Sequence, residues 1–256
     1  MRSKTVAEIV KKIDVSEEFL IFTLGDSITN GSISTSLENS YTAVLTRRIA
    51  ERYSDREVLR YDGRQSKTPD GELLPVDHFD GPTRVQEGNG GKLTVVRCGI
   101  GGNTVRRLIN RRGDYAGRAF EGRVADLFTV MVGINDSLRG DPSKYVTPEQ
   151  YKKDLYELLA LLENANPQAD VILMTPTYYH DGSTRESYLD LYAEKMTEVA
   201  RECALPLIDT HKLWMDRMAL GGEGYGQGDW LPSDKCHPGD VGHKALGEFI
   251  FSEIFE

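Results

Sequence analysis

Three short stretches of the chain carry residue types that do chemistry. Ser27 stands in Leu24-Gly25-Asp26-Ser27-Ile28-Thr29, directly after an apolar run. A serine at a strand-to-helix turn presents its hydroxyl outward and becomes a nucleophile once a base takes its proton. Asp234-Lys235-Cys236-His237 supplies a candidate base. Three residues make one tight turn, so the Asp234 carboxylate can reach the Nδ1–H of His237 and leave Nε2 to accept a proton. Asn135 brings a side-chain amide donor after a further apolar run, and Gly102 a backbone N–H with no side chain in front of it.

These residues need a frame, and the apolar pattern supplies one. Phe19–Leu24, Leu93–Cys98, Leu127–Val132, Val171–Met174 and Leu205–Ile208 are near-continuous apolar runs that end at Gly25, Gly99, Gly133, Thr175 (just before Pro176) and Asp209. Such runs predict strands of a parallel sheet covered on both faces. Between them lie helical patterns. Tyr151, Leu155, Leu158 and Leu162 mark one helix face, introduced by Thr147-Pro148 with Gln150 three residues after the threonine. Leu189, Tyr192, Met196, Val199 and Cys203 repeat the rhythm, and residues 40–53 and 240–255 also read as helices. The expected architecture is a three-layer α/β/α sandwich with a central five-stranded, mainly parallel sheet, flavodoxin-like, in a single domain over 1–256. Residues 54–91 are polar and rich in Gly, Pro and Asp, with a weak strand signal at Val58–Tyr61, and read as a long insertion. In open parallel sheets ligands bind beyond the carboxyl ends of the strands, which is where Ser27, Gly102 and Asn135 fall.

Taken together the blocks resemble a known family. Gly25-Asp26-Ser27-Ile28-Thr29, Gly99-Ile100-Gly101-Gly102-Asn103-Thr104, Gly133-Ile134-Asn135-Asp136 and Asp234-Lys235-Cys236-His237 are similar, in order, to the four blocks of the GDSL, or SGNH, hydrolases. Gly-Asp-Ser and Asp-x-x-His each occur by chance; four blocks in order, spanning Gly25 to His237, make a far more specific signal. One departure is Arg97, where the family often has Asn two residues ahead of the glycine turn.

The resemblance implies a serine esterase. Ser27 would attack an acyl carbonyl, with His237 as general base and then general acid and Asp234 orienting it. The oxyanion hole would comprise the N–H of Ser27, the N–H of Gly102 and the amide of Asn135. No metal or organic cofactor is implied, because the serine carries the covalent intermediate. Family substrates include acetylated sugars, lysophospholipids, thioesters and simple esters. No long apolar lid segment is present, so a short acyl group such as acetyl on a carbohydrate or small alcohol is expected. The alternatives are a lysophospholipase or thioesterase of the same family, and a catalytically silent member that binds a glycan or partner. A nucleotide-binding protein using residues 99–103 as a phosphate cradle is a third reading, which leaves Asp234 and His237 unexplained. Tyr225 and Trp230, in the glycine-rich stretch 221–231, either wall the substrate pocket or belong to a flexible surface loop.

Each assignment has a plainer competitor. Ser27 could merely cap a helix. Asp209-Thr210-His211 is a rival acid–base pair, His243 reads as structural, and Cys236 points away from its neighbour His237. Asp136 reads as a structural hydrogen-bond acceptor. Gly91-Lys92 resembles the end of a phosphate loop but lacks its first glycine and its Ser/Thr, and the Gly-x-Ser-x-Gly elbow of the other large α/β hydrolase family is absent.

Composition narrows the classes. The chain has 256 residues, 28% charged and 39% hydrophobic, with a formal net charge of −9. That balance opposes nucleic-acid binding and anionic membranes, leaving neutral, soluble esters as the expected substrates. No apolar run reaches membrane-spanning length, and three cysteines make no disulfide framework. With no secretory leader apparent, a cytoplasmic location is expected.

Overall fold

The computed structural model describes residues 4–64, 78–79, 81–120, 122–178, 185–219, 230 and 236–256. The strands are β1 (Glu18–Gly25), β2 (Glu57–Arg64), β3 (His78–Phe79), β4 (Thr83–Gln86), β5 (Lys92–Gly99), β6 (Leu127–Met131), β7 (Asp170–Met174) and β8 (Leu207–Ile208). The helices are α1 (Val6–Val15), α2 (Ser27–Asn30), α3 (Tyr41–Arg52), α4 (Val105–Asn110), α5 (Pro148–Ala165), α6 (Arg185–Glu202), α7 (Thr210–Ala219) and α8 (Asp240–Phe255). Two single 3₁₀ turns lie at Leu37–Asn39 and Arg112–Asp114.

The strands form one sheet in the order β3-β2-β5-β1-β6-β7-β8, with β4 also paired to β2. All pairings among β2, β5, β1, β6, β7 and β8 are parallel, and only β3 and β4 run antiparallel. The alternation along β1 explains the layers. Leu20, Phe22 and Leu24 join Val105, Leu108, Leu155, Leu158 and Met196 on one face. Phe19 and Ile21 join Ile9, Ile13, Leu45, Ile49, Leu246 and Ile250 on the other. Each such side chain, fully buried, stabilises by about 1.5–3 kcal/mol before conformational entropy is counted. No helix among the described residues is long and apolar enough to cross a membrane.

The expected three-layer sandwich is present, but the sheet is larger than five strands. The five expected strands correspond to β1, β5, β6, β7 and β8. The sixth parallel strand, β2, coincides with the weak strand signal at Val58–Tyr61, inside the stretch expected to be an insertion, and pairs with β5 over Glu57–Asp62. Its strand signal is weak because Arg60 and Asp62 alternate with apolar residues, yet both are buried, 1% and 6% exposed. They are tolerated because they neutralise one another. Arg60 Nε donates to Asp62 Oδ2 at 3.1 Å, Arg97 Nε of β5 donates to Asp62 Oδ1 at 2.9 Å, and Arg60 Nη1 donates to Glu38 at 3.1 Å.

β1 sits between β5 and β6, so the chain leaves it at the point where strand order reverses. The crevice at the carboxyl ends of these three strands is the natural ligand position of such a sheet.

Candidate active site

The serine turn is shaped by two glycines. Gly25 and Gly99 end β1 and β5 as partners in register. A Cβ on Gly25 would lie 2.1 Å from Thr29 Oγ1, and one on Gly99 would lie 2.2 Å from the Asn30 nitrogen. Only glycine lets the short helix α2 rest directly on the strand ends. Asp26 caps that helix, its Oδ1 accepting the Ile28 N–H at 2.9 Å. The capping role that competed for Ser27 therefore belongs to its neighbour. Ser27 begins the helix and is half-buried, and its Oγ lies 2.6 Å from Nε2 of His237. The two residues are 210 positions apart in sequence.

His237 precedes α8, whose first turn begins at Gly239. The Gly239 N–H donates to the Trp230 carbonyl at 2.9 Å. The Trp230 ring is buried and meets Trp214 edge to face at 4.5 Å, with Tyr178 in the same cluster. Trp230 thus braces the segment that carries the histidine. Asp234 and Tyr225 lie outside the described residues.

The donor residues occupy the neighbouring strand ends. Gly102 adopts φ +74°, a left-handed value that favours glycine. Asn103, fully buried beside it, donates from Nδ2 to the Gly25 carbonyl at 3.1 Å. Asn135 Nδ2 donates to the Asn103 carbonyl at 3.0 Å. An amide nitrogen has two N–H groups, so one fixes Asn135 and no described residue takes the other. These bonds tie the turns after β1, β5 and β6 into one rim that holds Ser27, Gly102 and Asn135. Asn103 and Arg97 support this rim, a role that their places in and before the second block do not reveal. Arg97 Nη1 bonds to the carbonyl of Asn30 at the end of α2, and also lies 3.2 Å from its side-chain oxygen. The block match contained Asn103, but its buried position is visible only in three dimensions.

Two buried carboxyls lie beneath the rim. Burial pushes Asp26 up to about 6, against the Ile28 N–H and the charge of His237, which favour its ionised form. Burial pushes Asp136 up to about 8, with the charge of Asp26 adding to the effect. Asp136 Oδ1 accepts the Val105 N–H at 3.1 Å, satisfying the first free N–H of α4, whose cap is Thr104. Its Oδ2 is buried with no partner among the described residues, which a neutral carboxyl tolerates better than a charged one.

The other histidines are placed elsewhere. Burial lowers His243 to about 4, so the ring is neutral. Its Nδ1 accepts the Tyr41 N–H at 3.3 Å, which puts the proton on Nε2, 3.3 Å from the Ser32 carbonyl. His211 pairs through Nε2 with Asp190 at 2.6 Å, not with Asp209. Asp209 instead accepts the Thr175 hydroxyl and the Lys212 N–H, both at 3.0 Å. The rival acid–base pair is therefore two structural contacts. Among the described residues no three His, Cys, Asp or Glu side chains are grouped to hold a metal.

The model of the GDSL-like Lipase/Acylhydrolase family matches residues 77–245, well over half of the chain. The match includes Gly102, Asn135, Asp234 and His237 but begins after Ser27, which joins them through its hydrogen bond to His237. Comparison with curated proteins finds no match. Among solved structures, LAE5, an alpha/beta hydrolase enzyme from the metagenome of Lake Arreo, Spain, is 23% identical with a TM-score of 0.63, covering 92% of this chain and 94% of that one. The acetylxylan esterase Axe2 of Geobacillus stearothermophilus is 22% identical with a TM-score of 0.63, covering 93% and 94%. A peptidoglycan O-acetylesterase is 13% identical with a TM-score of 0.65, covering 97% and 94%. At these identities the likeness is one of fold. With the family match over most of the chain, the conclusion is that this chain belongs to the GDSL-like lipase/acylhydrolase family.

Proposed function

We propose that the protein is a serine carboxylic ester hydrolase that works through an acyl-enzyme intermediate. One observation carries the reading: the 2.6 Å contact between Ser27 Oγ and His237 Nε2. Two residues so distant in the chain meet in the geometry that lets an imidazole take a hydroxyl proton.

In the proposed sequence Ser27 Oγ attacks the ester carbonyl carbon as its proton passes to His237 Nε2. The carbonyl oxygen becomes an oxyanion held by the Ser27 N–H, the Gly102 N–H and the second N–H of Asn135. The tetrahedral intermediate collapses, His237 gives its proton to the leaving alcohol, and the acyl group stays on Ser27. Water, deprotonated by His237, then attacks the acyl-enzyme and releases the acid. Asp234 is assigned the orienting role on its spacing from His237.

The acyl group is proposed to be short, with acetyl on a carbohydrate or small alcohol favoured. Support comes from the absence of a long apolar segment in the sequence and from structural neighbours described as acetyl esterases. A series of 4-nitrophenyl esters tests both parts. Wild-type protein should hydrolyse the acetate with the highest kcat/KM, and Ser27→Ala should abolish turnover. Higher values for octanoyl and longer esters would favour a lysophospholipase or thioesterase. A folded protein that neither turns over esters nor forms a phosphonate adduct at Ser27 would overturn the enzyme reading.

A further inference from the structure

Two cations from different elements converge on the Gly102 turn. Arg107 of α4 donates from Nη1 to the Gly102 carbonyl at 2.9 Å. A Cβ placed on Gly102 would lie 3.3 Å from that nitrogen, 3.5 Å from Cε of Lys144 and 3.8 Å from its Nζ. Lys144 comes from the loop between β6 and α5. Two like charges drawn towards one point repel, and a negative group seated with them relieves the repulsion. Lys144 has Asp141 at 3.2 Å. Among the described residues no carboxylate pairs with Arg107. The preceding residue makes the contrast: Arg106 is paired with both Asp154 and Glu157. A chain with a net charge of −9 therefore places, beside a turn of the proposed oxyanion hole, a guanidinium with no carboxylate partner among the described residues.

The geometry points to a subsite for an anionic group of the substrate, formed by Arg107 and Lys144 beside Gly102. The inference rests on the ester-hydrolase reading and specifies which esters suit it. An acetyl group carries no charge, so the anionic group belongs to the alcohol: a carboxylate or phosphate, as on an acidic sugar. A guanidinium matches either through its planar fork, and the ammonium adds a second charge. The net charge of the chain favoured neutral esters, but a bound ligand responds to charges within a Debye length, about 8 Å at physiological ionic strength. Beside Gly102 the atoms nearest a Cβ would be those of the two cations, Arg107 and Lys144.

Three acetates of one phenol core provide the test: 4-acetoxybenzoate, 4-acetoxyphenyl phosphate and the neutral methyl 4-acetoxybenzoate. Their intrinsic reactivities differ, so the readout is how the anionic-to-neutral ratio of kcat/KM changes between wild type and variant. Arg107→Gln should lower that ratio about tenfold, the size expected for one charge-assisted hydrogen bond. Lys144→Gln should lower it less, Arg107→Lys should restore part of it, and added salt should depress the anionic arms alone. A fall confined to one anion identifies that anion as the ligand. Unchanged ratios in the Arg107→Gln/Lys144→Gln double variant, with the esters still hydrolysed, would overturn the subsite and leave the esterase standing. If wild type and Ser27→Ala were equally inactive on all three acetates, the esterase reading would fall and the subsite with it. Should Arg107→Gln not fold, Lys144→Gln, on a partly exposed loop, and the salt response read the same ratio.

Discussion

Arg97 and Asp62 are hydrogen-bonded at 2.9 Å across the β5–β2 ladder, with both side chains buried. From the same guanidinium a second bond reaches the Asn30 carbonyl at the end of α2. The helix that carries Ser27 is thus held by the pair that locks the sixth parallel strand into the sheet. Arg97→Met removes one partner and leaves a buried carboxylate undercompensated. The expected loss is about 3 kcal/mol in urea unfolding, with a fall in kcat larger than any change in KM. An Arg97→Met protein as stable and as active as wild type would show that the pair supports neither strand nor helix.

The glycine pair makes a sharper prediction about position. Gly99→Ala places a methyl 2.2 Å from the Asn30 nitrogen, which is backbone and cannot swing aside. Helix α2 must shift, so kcat for ester hydrolysis should fall by about 100-fold, while stability falls by about 1–3 kcal/mol. Gly113→Ala, where no atom lies within 4 Å, serves as the control and should change neither.

The donor assignment predicts a different signature. Asn135→Ala should reduce kcat roughly 100- to 1000-fold with little change in KM, because the lost N–H acts on charge that develops in the transition state. Loss of binding without loss of turnover would place Asn135 in substrate binding rather than in the oxyanion hole.

Two buried groups predict pH effects of opposite sign. Asp136 has its folded-state value raised to about 8, so the native protein holds a proton that the unfolded chain releases near 4. Its contribution to stability is complete below about 4 and is lost as pH rises through about 8. In Asp136→Asn, whose amide oxygen can still accept the Val105 N–H, melting temperature should fall less between pH 5 and pH 8 than in wild type. His243 behaves in reverse. Its value is lowered to about 4, so its contribution is present above the ordinary histidine value near 6.5 and is lost as pH falls towards 4. His243→Gln should flatten the acid side of the melting curve. Parallel curves for variant and wild type would refute the corresponding assignment.

Much of this protein could be read in order along the chain. The apolar runs at β1, β5, β6 and β7 are local signals, because a strand buried on both faces has no polar side to hide it. The four blocks around Ser27, Gly102, Asn135 and His237 are also local, since a turn that ends a strand needs particular residues at particular steps. β2 was harder to see. Arg60 and Asp62 look like surface residues until Arg97 and Glu38, from other elements, are placed against them. A buried charge is tolerable only with its partner, and the partner is not a sequence neighbour.

The sequence by itself determined the order of the elements, the glycines at the strand ends and the residue types available for nucleophile, base and donors. Only the tertiary structure decided which of them meet. Parallel strands bring residues 27, 102 and 135 to one rim because every strand ends on the same side of the sheet. The start of α8 returns His237 to Ser27 across 210 residues. The same packing assigned His211 to Asp190 rather than to Asp209, two residues away, and set Arg107 and Lys144 over one glycine. Contacts of this kind depend on which elements pack together, a property of the assembled core that no local spacing encodes.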